Sequence, residues 1–157
     1  MDFLVREILD RARAKGLRLS TAESCTGGMV SAALTAVPGS SDVFECGFVT
    51  YSNAAKHSML GVPEETLAAH GAVSEEVARA MAHGALLNST ATIAVSITGI
   101  AGPGGSEFKP EGRVCFGLAR RGAEPITETK EFGALGRDAV REAATHHALT
   151  MLLSAIG

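Results

Sequence analysis

The sequence has few aromatic residues and few cysteines. Aromatic residues make up 4% of its 157 residues and tryptophan is absent, whereas glycine occurs 18 times. The core must therefore be built from small aliphatic side chains and close backbone contacts. Three cysteines, Cys25, Cys46 and Cys115, lie far apart and form no CxxC pair, so they favour buried free thiols over a zinc site or a redox disulfide.

Excess positive charge and long apolar segments are also absent. The net charge is −3, which offers nucleic acid no basic surface. No apolar run reaches the roughly 18 residues needed to span a bilayer, and the N-terminus shows no basic-then-apolar leader. We therefore expect a cytoplasmic protein that binds neither nucleic acid nor membrane. The length suits one core, so we predict a single domain over residues 1–157.

Helical and strand-like patterns alternate along the chain. Apolar residues at helical spacing, with Asp2, Ser52 and Ser74 as candidate N-caps, predict helices over 2–15, 29–37, a short stretch after 52, 64–69, a stretch after 74, and 137 onward. Strand-like runs predict a half-buried strand at 17–20, strands at 44–51 and 92–98, and a β-hairpin of 114–118 and 126–132. The fold class predicted is α/β: one three-layer α/β/α domain whose mixed sheet includes this hairpin in the C-terminal half.

The segment Thr21-Ala22-Glu23-Ser24-Cys25-Thr26-Gly27-Gly28 joins a predicted strand to a predicted helix. Such a junction directs backbone N–H groups and the positive end of the helix dipole at one point, which suits a phosphate, a carboxylate or a developing oxyanion. Ser24 is placed there as a candidate nucleophile. Two alternatives stay open at this point: Ser24 or Thr26 merely caps the helix, or Cys25 is the nucleophile.

A serine nucleophile needs a base to accept its proton. The histidines lie on predicted helices or turns with no evident carboxylate partner; they are His57, His70, His83, His146 and His147. Lysine serves as a base if burial lowers its pKa enough to leave a neutral amine. Lys56 and Lys109 lie in the loops 51–56 and 98–112, which follow predicted strands and are candidate parts of the site, whereas Lys15 and Lys130 are expected at the surface. Lys56 on a helix could equally be a solvated side chain.

Four strings of residues resemble the CinA C-terminal-domain family. They are Ala-Glu-Ser-Cys-Thr-Gly-Gly at 22–28, Phe-Val-Thr-Tyr-Ser-Asn-Ala-Ala-Lys at 48–56, Gly-Ala-Val-Ser-Glu at 71–75, and Ile-Thr-Gly-Ile-Ala-Gly-Pro-Gly-Gly at 97–105. The resemblance implies a nicotinamide-nucleotide amidohydrolase that converts nicotinamide mononucleotide to nicotinate mononucleotide and ammonia in pyridine-nucleotide salvage. It also implies a homo-oligomer that needs no metal or cofactor, and the stand-alone form without the extra N-terminal domain of larger CinA proteins.

The resemblance assigns roles to individual residues. It implies Ser24 as nucleophile, Lys56 as base and Tyr51 as supporting residue. The predicted substrate-binding residues are Thr26, Gly27 and Gly28, whose N–H groups are the expected oxyanion donors, together with Thr98, Gly99, Lys109 and Arg137.

Arg137 is the candidate for the nucleotide phosphate, but the match is weaker there, because the chain reads Gly-Ala-Leu-Gly-Arg at 133–137 where relatives have Gly-Asp-Arg. A second departure concerns Lys109: Glu111 stands near it where relatives commonly have valine, and this acid could weaken an anion site at Lys109. Taken one at a time, Tyr51 could be a core aromatic, Thr98 a plain strand residue and Arg137 a surface residue. Two rival functions also stay open: a nucleotide-binding module without turnover, and an amidase for another small carboxamide.

Overall fold

A computed structural model describes residues 1–106 and 108–157. The helices and strands in chain order are α1 Asp2–Ala14, β1 Leu19–Glu23, α2 Met29–Thr35, β2 Phe44–Val49, α3 Asn53–Leu60, α4 Glu64–His70, α5 Glu75–Leu87, β3 Ile93–Gly99, β4 Arg113–Arg120, β5 Ile126–Glu131 and α6 Arg137–Ile156. A short 3-10 helix, Ser40–Asp42, precedes β2. Within these described residues, no helix combines the length and the apolar character needed to cross a membrane.

The five strands form one mixed sheet in the order β2-β1-β3-β4-β5. Strand β1 lies between two parallel neighbours, β2 and β3, whereas β4 and β5 form an antiparallel hairpin that continues the sheet from β3. The predicted mixed sheet with a C-terminal-half hairpin is confirmed. Because β1, β2 and β3 run in the same direction, their carboxyl ends meet at one edge of the sheet, where α/β proteins build their binding sites.

Helices cover both faces of the sheet. On one face α1, α2 and α6 pack over a core that includes Ile8, Leu34 and Leu149 against Ile97 and Phe116. On the other face a smaller core is rich in alanine: Leu60 of α3 and Met81 of α5 share one buried cluster with Ala22, Ala94 and Ala119 of the strands. The three-layer prediction is confirmed. Short side chains in the second core let α5 approach the sheet closely, as the low aromatic content predicts.

Strand β1 differs from its prediction in position and in burial. The strand begins at Leu19 and runs to Glu23, and all five of its residues are buried. The half-buried strand predicted over 17–20 is therefore wrong. A strand with parallel neighbours on both sides and helices on both faces has no solvent-facing side, so it shows no polar–apolar alternation. Its hydroxyls are satisfied internally, as in the 2.7 Å hydrogen bond between Thr21 Oγ1 and Ser31 Oγ.

The predicted helix caps have different outcomes. Ser52 Oγ accepts from Ala55 N at 3.0 Å and Ser74 Oγ accepts from Val77 N at 3.2 Å, so these two caps are confirmed. Asp2 is not a cap, because α1 already includes it and its carboxylate pairs with Arg6. Helix α2 starts after Gly28 without a side-chain cap from its N-cap residue, so the reading of Ser24 or Thr26 as the N-cap is wrong.

Candidate active site

A cavity of about 360 Å³ opens at the carboxyl ends of the parallel strands. Its lining includes Ser24 from the elbow after β1, Tyr51 and Lys56 from the segment after β2, and Thr98 at the end of β3. The glycine-rich segment 99–105 and Arg137 at the start of α6 complete its rim. Residues from the sequence strings at 22–28, 48–56 and 97–105 therefore line one cavity.

The elbow holds Ser24 with main-chain hydrogen bonds and two left-handed glycines. Ser24 N donates to Ile97 O of the neighbouring strand at 2.9 Å, and Ser24 O accepts from Gly27 N at 2.9 Å. The φ angles of Gly27 and Gly28 are +59° and +108°, in the region that side chains with a Cβ avoid. These two glycines turn the chain sharply from β1 into α2 and leave Ser24 at the cavity.

Lys56 is 1% exposed, which makes it one of the largest fully buried side chains of the described residues. Helix α3, capped by Ser52, carries it back under the end of β2, and its Nζ lies 3.0 Å from Ser24 Oγ. The same Nζ donates to Thr50 O at 3.0 Å and to Tyr51 O at 3.4 Å. The alternative of a solvated lysine is wrong.

Tyr51 and Arg137 meet at the mouth of the cavity. Tyr51 is 61% exposed, so the alternative of a core aromatic is wrong. Its phenolic oxygen accepts from Arg137 Nη2 at 2.9 Å, while Arg137 Nη1 donates to Gly102 O at 2.7 Å. The phenol of Tyr51 is thus paired with the arginine, and it is the main-chain carbonyl of Tyr51 that contacts Lys56.

Thr98 lines the cavity, whereas Lys109 lies outside its lining. Thr98 Oγ1 donates to Ala72 O at 2.8 Å, and both residues line the cavity together with Gly99. Lys109 Nζ donates to His70 O at 2.6 Å and to Val73 O at 2.5 Å, and in the described structure it lies outside the cavity lining. Its role as a substrate contact stays a prediction, whereas its contacts secure the segment between α4 and α5.

Glu111 contacts the glycine-rich segment. Gly104 N donates to Glu111 Oε1 at 2.5 Å. The Glu111 carboxylate and the Arg137 guanidinium therefore both bind the main chain of this segment, the first at Gly104 N and the second at Gly102 O. Glu111, where the resemblance leads us to expect valine, thus contributes to the shape of the cavity rim.

Two of the three predicted oxyanion donors of the elbow, the N–H groups of Gly27 and Gly28, already have partners within the protein. Gly27 N donates to Ser24 O, and Gly28 N donates to Glu23 Oε1 at 3.1 Å. Together with Thr26, these glycines lie outside the cavity lining as described. Their direct contact with substrate stays a prediction, and the structure shows them shaping the turn beneath Ser24.

Sequence reasoning missed two residues that bind the elbow. Glu23, the last residue of β1, is fully buried and accepts hydrogen bonds from the start of α2. Arg141 of α6 donates to Cys25 O at 3.0 Å and to Thr26 O at 3.4 Å. An acidic residue between a buried strand and two glycines was the available signal for Glu23, because a buried carboxylate requires hydrogen-bond donors. No local pattern marks Arg141, since it lies 116 residues from Cys25.

Three of the five histidines have carboxylate partners that the sequence did not reveal. The contacts are His57–Glu64 at 3.2 Å, His70–Glu76 at 3.7 Å and His147–Glu128 at 2.6 Å. The expectation of no carboxylate partner is therefore wrong for these three histidines. None of these side chains lines the cavity that contains Ser24, as far as the described residues show. Within residues 1–106 and 108–157, no group of three His, Cys, Asp or Glu side chains is arranged to hold a metal ion.

Cys25 follows Ser24 but has an unfavourable environment for a nucleophile. Burial raises the pKa of its thiol to about 12. The reactive form of cysteine is the thiolate, which such a thiol populates only in strongly alkaline solution.

We expect iodoacetamide at about pH 8 to leave Cys25 unmodified in the folded protein, because a thiol near its ordinary pKa supplies thiolate there and Cys25 does not. Mass spectrometry of tryptic peptides measures the labelling of each cysteine. Half-buried Cys46 is the internal comparison, and unfolded protein, in which all three cysteines should react, is the control. Faster labelling of Cys25 than of Cys46 would support Cys25 as the nucleophile.

The fold and the site together define a class: three-layer α/β proteins in which a serine and a buried lysine face one cavity at the carboxyl ends of parallel strands. The CinA C-terminal domain family matches residues 1–156. The chain belongs to this family, which confirms the resemblance found in the four sequence strings.

Relatives of two lengths match the chain. The nicotinamide-nucleotide amidohydrolase PncC of Escherichia coli K12 is 54% identical over 150 residues, covering 95% of this chain and 90% of that protein. A Symbiobacterium thermophilum protein described as competence-damage inducible is 58% identical over 146 residues, or 88% of this chain, which spans only 34% of that protein. The crystal structure of the competence/damage inducible protein CihA from Agrobacterium tumefaciens superposes with a TM-score of 0.94 at 48% identity, covering 98% of this chain and 93% of that chain.

Proposed function

We propose that this chain hydrolyses the carboxamide of nicotinamide mononucleotide, giving nicotinate mononucleotide and ammonia. The observation that carries the proposal is the 3.0 Å approach of Lys56 Nζ to Ser24 Oγ inside the cavity. Similarity to the E. coli nicotinamide-nucleotide amidohydrolase along 95% of the chain supports the choice of substrate. The setting proposed is pyridine-nucleotide salvage in the cytoplasm.

Lys56 is proposed as the base that activates Ser24. Removal from water disfavours the charged form of an amine, and Lys56 is 1% exposed. Lys56 Nζ donates to Ser24 Oγ and to the carbonyl oxygens of Thr50 and Tyr51. Loss of one proton leaves a lone pair on this nitrogen, which can take the hydroxyl proton of Ser24. The contacts of Lys56 therefore suit proton transfer to and from Ser24 Oγ.

The reaction proposed is acyl transfer in two steps. Ser24 Oγ attacks the amide carbon while Lys56 accepts its proton; Lys56 then protonates the amide nitrogen, the C–N bond breaks and ammonia leaves. Water attacks the resulting ester, Lys56 takes the proton of the water and returns it to Ser24 Oγ as the ester bond breaks. The steps use only protein groups and water, so no cofactor or metal ion enters the proposal.

Arg137 is proposed to bind the 5′-phosphate of the nucleotide. A guanidinium presents several donors in one plane, which matches the oxygens of a phosphate. Arg137 lies at the cavity rim and its contacts with Tyr51 OH and Gly102 O hold it there. Phosphate binding at the rim would orient the carboxamide toward Ser24 in the interior. We further propose, on family grounds, that residues 1–157 form one domain that acts as a homo-oligomer.

Purified protein is expected to release ammonia from nicotinamide mononucleotide, measured with a coupled glutamate dehydrogenase assay and by chromatography of nicotinate mononucleotide. A nucleotide-binding module without turnover would instead raise Tm with the nucleotide and release no ammonia. Nicotinamide riboside, which lacks the phosphate, is the matched substrate. Faster turnover of the riboside or of another amide than of the nucleotide would assign the chain to a different carboxamide.

An Arg137→Met variant separates phosphate recognition from the chemistry. A charge-assisted hydrogen bond contributes a few kcal/mol, so KM for the mononucleotide should rise at least about tenfold while kinetics with the riboside change little. The exposed Arg6 of α1 provides the control variant Arg6→Met, which should behave as wild type. Equal losses with both substrates would contradict a phosphate role.

A further inference from the structure

Glu23 is a buried acid that the proposed chemistry does not use. It is 0% exposed, and its carboxylate accepts five hydrogen bonds. Oε1 accepts from Thr26 Oγ1 at 2.6 Å and from the backbone N–H groups of Gly28 and Val30 at 3.1 and 3.0 Å. Oε2 accepts from Ser31 N at 3.0 Å and Ser31 Oγ at 2.8 Å. A carboxylate bound by so many donors is held in a single orientation.

The donors of this carboxylate belong to the elbow and to the first turn of α2. Backbone N–H groups at the start of a helix have no partner within the helix, and the helix dipole makes this end positive. In this protein the acid that satisfies them is Glu23, the residue immediately before Ser24. The start of α2 is therefore tied to the end of β1 across the turn that carries Ser24.

The main chain of Glu23 connects to the lysine side of the site. Thr50 N donates to Glu23 O at 2.8 Å, and Thr50 O in turn accepts from Lys56 Nζ at 3.0 Å. Ser24 and Lys56 thus share Glu23 as a neighbour: one through the peptide bond, the other through Thr50. A shift of Glu23 would change the distance between Ser24 Oγ and Lys56 Nζ.

Arg141 binds carbonyl oxygens of the elbow. Its guanidinium binds the carbonyl oxygens of Cys25 and Thr26, whereas the Glu23 carboxylate binds N–H groups. Gly27 lies close to this arginine, since a Cβ added there would lie 3.2 Å from Arg141 Nη2. The Glu23 carboxylate therefore binds N–H groups around the elbow, and the Arg141 guanidinium binds its carbonyl oxygens.

We propose that Glu23 is a positioning residue that sets Ser24 Oγ within proton-transfer distance of Lys56 Nζ by fixing the strand-to-helix turn. The proposal rests on the proposed serine–lysine hydrolysis and deepens it. Glu23 lies outside the cavity lining as described and so acts through Ser24, without touching substrate. Its loss should lower the reactivity of Ser24 and leave substrate binding intact.

The test variant is Glu23→Gln, which keeps the shape and replaces one acceptor oxygen by an NH₂ group. Either orientation of the carboxamide directs this donor at a backbone N–H, so the turn must shift. Because misplacement by about 1 Å can cost on the order of 100-fold, kcat should fall at least about tenfold, with KM for nicotinamide mononucleotide within about twofold of wild type. Glu45→Gln is the matched control, since Glu45 of β2 binds Arg18 and Thr90, away from the elbow.

A second readout does not depend on turnover. Phenylmethylsulfonyl fluoride reacts as Ser24 Oγ bonds to sulfur, fluoride leaves and the hydroxyl proton passes to Lys56; intact mass follows the time course. We expect the labelling rate constant of Glu23→Gln to fall at least about tenfold. Tm must show that the variant is folded at the assay temperature, because partial unfolding would also lower the observed rate constant in proportion to the folded fraction.

Thr26→Val tests the role of Glu23 if Glu23→Gln does not fold. It keeps the Glu23 carboxylate and removes the Thr26 hydroxyl, one of the groups that donate to it. A lower kcat and labelling rate at unchanged KM supports the proposal. Wild-type kcat, or a raised KM at wild-type kcat, in the folded variants overturns it. Absence of ammonia release by wild type, with Ser24 still labelled, would refute the proposed function while the labelling rates still test the role of Glu23.

Discussion

Replacement of Ser24 by alanine is expected to lower kcat/KM for nicotinamide mononucleotide by about 10³-fold or more, because the variant has no oxygen to attack the amide carbon. The loss should fall on kcat. Ser24 is largely buried at the cavity floor and its main chain carries the hydrogen bonds to Ile97 and Gly27, which alanine keeps. Ammonia release at saturating substrate, together with the ligand-induced rise in Tm, measures chemistry and binding separately.

Ser20→Ala is the control for this variant. Ser20 belongs to strand β1, which leads into the elbow, and is also buried, but its hydroxyl contacts Cys46 Sγ at 3.7 Å and does not line the cavity. It should retain wild-type turnover. Undiminished ammonia release by a folded Ser24→Ala variant would show that the serine mechanism is wrong as a whole.

Replacement of Lys56 by alanine should lower kcat by about 10² to 10⁴-fold, the range that a general base contributes. The variant also removes a buried side chain beside the cavity and leaves space where the amine was. A small primary amine such as ethylamine should therefore restore part of the activity, in proportion to the concentration of its neutral form. The measurement is kcat against amine concentration at several pH values, with Tm as the check of folding.

Lys130→Ala serves as its control, because Lys130 lies exposed on β5. It should show neither the loss nor the response to amine. Wild-type turnover by Lys56→Ala would overturn only the assignment of the base and would leave Ser24 as nucleophile.

The helices, the outer strands and two of the caps could be predicted because their signals are local. Apolar spacing identifies helical faces, and Ser52 and Ser74 satisfy N–H groups only three residues away. Strand β1 was misplaced for the opposite reason. Its burial results from β2, β3 and the helices on both faces, and these contacts leave no alternation in its own residues.

The sequence singled out part of the cavity lining and did not indicate how its residues are arranged. Ser24, Tyr51 and Lys56 were singled out through sequence strings that resemble a family, and residues from all three segments line one cavity. Spacing alone favoured a solvated Lys56 and a capping Ser24. Their approach depends on β1 and β2 lying side by side, which brings together residues 32 positions apart.

By itself the sequence determined the order of helices and strands and the turn made by Gly27 and Gly28, because each follows from neighbouring residues, and it indicated that the junction before α2 suits an anion. Only the tertiary structure decided that this anion is Glu23, that Lys56 is buried against Ser24, and that Arg137 reaches Tyr51 across 86 residues. The physical reason is that burial and hydrogen-bond partnership are properties of pairs. Which pairs form depends on how the sheet and its two helix layers assemble, and no single segment contains that information.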